Sequence, residues 1–259
     1  MNTPQPAMLR AEVLRLEGED AESFAQAQFA SDVSRLQAGA WQWSSWLDAT
    51  GRVRALFHLM RDADGVLHAL LRGGSATAFG TALGRFTLRA RLRLLATCGG
   101  VLRDGPPLPA HTAIATSQGR EIGFGDHRVI WPCITDHDES GDTWRIADIR
   151  DGHPWLPDSL LEHLLPPALG LYRLGAVALD KGCYPGQEIV ARLHWRGGHK
   201  QHLHRIVAND AWHEGQRLTA GGRELGIILN QADNEALAIV RDEERENPDL
   251  PPILQSYGS

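Results

Sequence analysis

Lysine is almost absent from this chain, which has two lysines, Lys181 and Lys200, against 24 arginines. Base composition of the coding DNA would spread such a bias everywhere. A need for a compact amine with a tunable pKa would instead place it at particular positions, and both lysines fall between residues 181 and 200. Cysteine is scarce too: Cys98, Cys133 and Cys183 are an odd number with no C-x-x-C pair, which argues against a disulfide scaffold or a zinc ribbon and fits a reducing compartment. Apolar runs are short, such as residues 177–179, far below the roughly 20 residues of a membrane span. Residues 1–20 lack a basic segment followed by an apolar one, so export is not expected. Nor is there a positive excess. With 26 Lys and Arg against 32 Asp and Glu the net charge is −6, which excludes a polybasic binder resting on bulk charge. What remains is a cytoplasmic globular chain of one or two domains, with 42% apolar and 22% charged residues.

The pattern of elements points to the α+β class. Residues 20–30 (DAESFAQAQFA) read as a short helix capped by Asp20, with Ala21, Phe24, Ala25, Gln28 and Phe29 on one face. Gln28 then points inward, either to cap a neighbouring backbone group or to meet a ligand. From 41 to 72 the period changes to two, with turns at DATG (48–51) and DADG (62–65), which predicts an antiparallel meander. Ser75 can cap a helix through Leu83. RFTLRARLRLL (85–95) alternates as a strand with one basic face, either a solvated edge or an anion-binding surface. The Gly- and Pro-rich piece 99–110 reads as a connector, 121–131 and 143–149 as strands, and HDESGD (137–142) as a polar turn. S-x-x-E at 159–162 predicts a capped helix with Leu160, Leu161, Leu164 and Leu165 buried, stopped by Pro166 and Pro167. Three strand-like runs after residue 203 suggest a small closing β-barrel. Antiparallel pairing with interspersed helices gives α+β rather than a doubly wound sheet.

Chemistry concentrates at 176–200, AVALDKGCYPGQEIVARLHWRGGHK. The pattern predicts a strand end at 176–179, a tight loop, then a helix from Pro185 to about Trp195, proline suiting a first helical position. Cys183 sits just ahead of that helix, where unpaired amides and a neighbouring cation favour a thiolate. Gly182 and Gly186 bracket it and permit close backbone approach. Glu188, Arg192 and Arg196 recur at i, i+4, i+8, as an ion-pair ladder would. Between 181 and 205 five cations oppose Glu188, which implies an anionic ligand, whether a cofactor carboxylate or RNA phosphate. His194, His199, His202 and His204 crowd the same stretch. They are a weak metal motif without a carboxylate partner, so no metal site is assigned.

KGCYPGQE (181–188), with VAR (190–192) and RGGHK (196–200), resembles the K-G-C-Y-x-G-Q-E signature of the YgfZ family, the folate-binding relatives of the glycine-cleavage T-protein. Weaker likenesses are FAQAQFASDV (24–33), LDATGRV (47–53), IRDGHP (149–154) and LGIILNQADNEALAIVR (225–241), in order along the chain. The resemblance implies a T-protein-like ring of two α+β folate-binding subdomains within 1–200 and a C-terminal β-barrel at 201–259. It implies tetrahydrofolate or a one-carbon derivative as cofactor. The implied role is an accessory one in iron–sulfur cluster assembly or repair and tRNA modification, with iron–sulfur enzymes and tRNA-modifying enzymes as partners, on a monomeric, membrane-free chain. Cys183 and Lys181 map onto the functional thiol and its neighbour; Tyr184, Gly186, Gln187, Glu188, Arg192, Gln28 and Arg52 are the implied cofactor-binding set. The alternatives are an aminomethyltransferase of T-protein type and a non-catalytic RNA or protein adaptor. Gly170 stands where relatives carry an Asn, and Gln201 where a second basic residue follows the lysine.

Overall fold

The computed structural model describes residues 10–101, 103–116, 119–126, 128–132, 143–208 and 211–257. Cys133 and the turn expected at 137–142 lie outside the described residues. Strand β1 (Arg10–Glu17) leads to helix α1 (Ala21–Gln28), and the meander follows as β2 (Ala40–Leu47), β3 (Val53–Arg61) and β4 (Leu67–Leu71). Helix α2 (Ala76–Gly84) starts at Ser75, whose side chain accepts from the Ala78 amide, and β5 (Arg93–Val101) completes an antiparallel sheet in the order β2-β3-β4-β1-β5. β3 and β4 are buried at nearly every position because both faces of the sheet are covered. Phe24 and Phe29 of the α1 segment and Phe79 and Leu83 of α2 meet Trp46, Phe57 and Leu59 on one side. Trp43, Leu56 and Met60 share a second core with Trp144, Trp155, Leu169, Tyr184 and Val190. Here a period of two sorts residues between two cores rather than between core and solvent.

A second sheet comprises β6 (Arg103–Gly105), β7 (Ala113–Thr116), β8 (Gly119–Gly123) and β9 (Arg128–Pro132), in the order β6-β9-β8-β7. Helices α3 (Thr143–Asp151) and α4 (Gln187–Arg196) precede the closing sheet of β10 (Gln201–Val207), β11 (Arg217–Ala220), β12 (Arg223–Ala232), β13 (Glu235–Arg241) and β14 (Ile253–Ser256). Its order is β11-β12-β13-β10-β14. The three expected runs are there, with two further short strands. Leu203, Leu237 and Ile239 join the core shared with the first sheet, while Ile206, Ile228, Val240 and Leu250 form a separate one. Mixed α and β structure with antiparallel pairing is the expected class.

Several local expectations are corrected. Residues 143–151 form helix α3, not a strand: Trp144, Arg145, Asp148 and Ile149 are the buried set, a helical spacing disguised by two charged residues whose partners come from elsewhere in the fold. Strand β5 starts only at Arg93, and residues 85–92 turn instead, with Phe86 N–H donating to Leu83 O and Ala90 N–H to Thr87 O. The alternation there has no strand to pair with, because β1 ends at Glu17 opposite Arg93. Leu88 is left 91% exposed. Half of the expected connector is strand, since Gly99 and Val101 pair with Ala11 and Arg10. No capping box forms at 159–162. Glu162 takes a positive φ of 64°, its N–H donates to Val53 O while Val53 N–H donates to Leu164 O, and its carboxylate pairs with Arg54 at 2.7 Å. Short 3-10 turns, Asp158–Leu160 and Pro166–Leu169, replace the helix. Asp20 makes no side-chain cap on α1; its carboxylate accepts from the Arg91 amide instead.

Candidate functional site

The 181–188 loop is fastened to two earlier pieces of chain. Lys181 Nζ donates to three backbone carbonyls at the end of α1: Gln26 O at 2.7 Å, Phe29 O at 2.7 Å and Ser31 O at 2.8 Å. An ammonium has three protons, so this set uses all of them. Burial pulls the Lys181 pKa down to about 8, against the support of the Asp32 charge. Next to it Arg35 bridges Asp32 and Asp180 at 2.9 and 2.8 Å. Ala178 N–H donates to Ala30 O and Ser45 Oγ to Ala176 O. The strand end expected at 176–179 is thus an isolated docking contact.

The second anchor is the DATG turn. Asp48 Oδ1 accepts from the amides of Thr50 and Arg52 and from the Thr50 hydroxyl, an arrangement that sets the turn rigidly. Gly186 lies against it in the left-handed region at φ 78°. A Cβ there would sit 2.5 Å from Asp48 O and 2.7 Å from Gly51 Cα. Gly186 is also the N-cap of α4, so Pro185 lies before the helix and not at its first position. Only glycine combines this conformation with this contact.

Between the anchors, Cys183 is exposed. Tyr184 is buried and its hydroxyl donates to Ala178 O at 2.9 Å; burial pushes its pKa above the ordinary tyrosine range. Lys181 Nζ stands 5.4 Å from the centroid of that ring. Gln187 Nε2 donates to Lys181 O at 3.3 Å, and Arg52 donates to His163 O at 2.5 Å. Gln28 is half-buried, and its Oε1 is a buried acceptor with no donor among the described residues. Glu188, Arg192 and Arg196 are exposed on α4, and they form no ion pair among the described residues. The fold therefore gathers Gln28, Arg52 and the 181–188 loop into one neighbourhood, with Arg192 further along the same helix.

The histidines do not meet at one point: His199 and His202 lie ring to ring at 5.7 Å, while His194 and His204 have partners elsewhere. His194 packs on Tyr172 at 4.9 Å, His202 pairs with Asp242 at 2.7 Å, and His204 shares a hydrogen bond with Ser256 at 2.9 Å while burial pulls its pKa down to about 4. Among the described residues no three His, Cys, Asp or Glu groups gather to hold a metal ion. Sequence reasoning missed a second polar cluster. Arg72 and Asp148 form a 2.7 Å ion pair at 3% and 1% exposure, with His153 3.2 Å from Asp148. His58 lies fully buried between Trp41 and Trp43 at 4.7 and 4.1 Å. Burial works against the Asp148 carboxylate, but Arg72 and His153 outweigh it and the pKa is lowered. Two adjoining cavities of about 460 and 290 Å³ flank Gly73 and Gly74 and share Leu71 and Asp158; neither is lined by the 181–188 loop.

Against this geometry, comparison with known proteins is specific. No family model matches the chain. It is 26% identical to the tRNA-modifying protein YgfZ of Edwardsiella ictaluri over 94% of this chain and 89% of that protein. The chain is similar to the YgfZ proteins over most of its length. The tRNA-modifying protein YgfZ of Vibrio vulnificus (strain YJ016) is 27% identical over 75% of this chain and 67% of its own length; that of Shigella boydii is 24% identical over 83% and 73%. Among solved structures, the glycine cleavage system aminomethyltransferase T of Bartonella henselae superposes with a TM-score of 0.64, at 13% identity, over 91% of this chain and 77% of its own. At that identity the likeness to T-protein concerns the fold. No helix of the described residues is long and apolar enough to cross a membrane.

Proposed function

We propose that this chain is a folate-linked accessory protein serving iron–sulfur-dependent tRNA modification, with Cys183 as its functional thiol. One observation carries the reading: the loop matching the YgfZ signature is pinned at Lys181 and at Gly186, yet leaves Cys183 exposed between the pins. Rigid ends with an accessible centre suit a residue that must be presented to a reaction partner. Lys181, Tyr184, Gly186, Gln187 and Arg52 act here as positioning groups, since their polar atoms or backbone contacts are spent on holding the loop.

Two groups near the loop support a folate as the ligand. The buried Oε1 of Gln28 has no donor among the described residues, and a pterin ring offers N–H groups to such an acceptor. Arg192, exposed and without an ion pair among the described residues, carries a charge suited to a carboxylate tail. Folate, when bound, supplies a carrier for one-carbon units. In this proposal residues 1–200 bind it and 201–259 close the ring.

The reading is tested by thermal shift with tetrahydrofolate and by complementation. At about 100 times its dissociation constant a ligand adds roughly 2.7 kcal/mol, a rise of several degrees. Gln28→Leu is expected to remove much of that rise. Cys183→Ser, an exposed position, is expected to change stability by less than about 0.5 kcal/mol while failing to restore thiolated tRNA in cells lacking the native relative. Full restoration by Cys183→Ser removes the thiol from the mechanism; no shift with any folate removes the cofactor.

A further inference from the structure

Helix α4 sorts its residues by direction. Val190 is buried, its carbonyl accepts from Tyr172 Oη at 2.9 Å, and His194 packs on the Tyr172 ring. With 100° per residue, Glu188, Arg192, Trp195 and Arg196 fall within one arc of about 100° on the opposite side. Trp195 is 76% exposed, and the edge of one neighbouring ring, His194, meets it at 4.8 Å. Arg192, Arg196 and Lys200 are exposed and form no ion pair among the described residues. Among the described residues nothing covers the indole beyond that contact or pairs the cations that share its helix and the following loop.

We propose that the outward face of α4 and the following loop dock single-stranded RNA, with Trp195 as the stacking platform for a base and Arg196 and Lys200 as phosphate contacts. The choice of RNA over other nucleic acid rests on the tRNA-linked reading above. An acidic protein partner would answer the charge, but a protein hot spot seats its anchor among other apolar groups. This arc offers one indole and no aliphatic neighbour on it. Stacking needs a single flat face and nearby cations. The arrangement puts RNA and thiol on one rigid element: Trp195 lies roughly 12 Å along the helix axis from its first residue, and Cys183 precedes the other end.

The test is fluorescence anisotropy of a labelled oligoribonucleotide of about 12 nucleotides titrated with the full chain at several salt concentrations. Trp195→Ala should weaken binding at least about 5-fold and Trp195→Phe should restore most of it, stacking being worth this much per base. Arg196→Ala combined with Lys200→Ala should reduce the slope of log affinity against log salt by about 1.4, two contacts at roughly 0.7 each. Melting temperatures and the tetrahydrofolate response should be unchanged in both variants. Absence of wild-type binding at low salt overturns the proposal, as does a Trp195→Ala variant that binds like wild type. Equal binding of polyglutamate with the same dependence on Trp195 overturns it in favour of a protein partner. A wild-type chain that binds no RNA yet shows the folate shift and cellular rescue would defeat this proposal alone, leaving the preceding one standing.

Discussion

Replacing Gly186 by alanine separates the geometry of the signature loop from general intolerance of substitution. The position has φ 78°, and the added Cβ would meet three backbone atoms: Asp48 O at 2.5 Å, Gly51 Cα at 2.7 Å and Gly51 N at 2.9 Å. None can rotate away as a side chain could. The left-handed conformation costs a non-glycine residue about 1–2 kcal/mol, and forcing packed backbone apart adds about 1–3 kcal/mol. The sum is roughly 2–5 kcal/mol, which in a chain of this size lowers the melting temperature by roughly 5–15 °C. Gly65 supplies the control: its φ is 79° but an added Cβ would meet nothing within 4 Å, so Gly65→Ala should lose only the conformational part, about 1–2 kcal/mol. Thermal and urea unfolding of both variants give the comparison. Equal losses would refute the claim that Gly186 is held by contact with the DATG turn. A second readout is the rate of Cys183 alkylation under native conditions, compared with Cys183→Ser as background; it should change in Gly186→Ala and not in Gly65→Ala.

Two further outcomes follow from the buried charges. Lys181 releases its proton near 8 in the folded chain and near 10.5 when unfolded. Between these values the unfolded state binds more protons, so stability should rise with pH across that window; urea midpoints of wild type should gain on those of Lys181→Met from pH 8 to 10.5, and parallel curves would sink the assignment. Arg72→Met leaves Asp148 buried without its 2.7 Å partner and should cost about 3–5 kcal/mol, whereas Arg72→Met with Asp148→Leu should recover part of the loss. A double variant less stable than the single one would contradict that account.

Local chemistry was legible where neighbours in sequence decide it. The meander between Trp41 and Arg72, the Ser75 cap and three of the five strands of the last sixty residues follow from period, turn residues and capping alone. So does the loop ahead of α4 that carries Cys183, marked by its Gly and Pro neighbours. Other segments were settled by partners distant in sequence. Residues 143–151 could be a helix only because Arg72 neutralises Asp148 on its buried side, and 85–92 failed as a strand because β1 ended opposite Arg93. Lys181 illustrates the division within the site. Its rarity singled it out in the sequence, but spacing placed it beside the thiol as a cation, whereas the fold turns its ammonium onto the carbonyls of Gln26, Phe29 and Ser31. A sequence records which groups can donate; which acceptors lie within reach depends on how segments some 150 residues apart in the chain come to lie side by side.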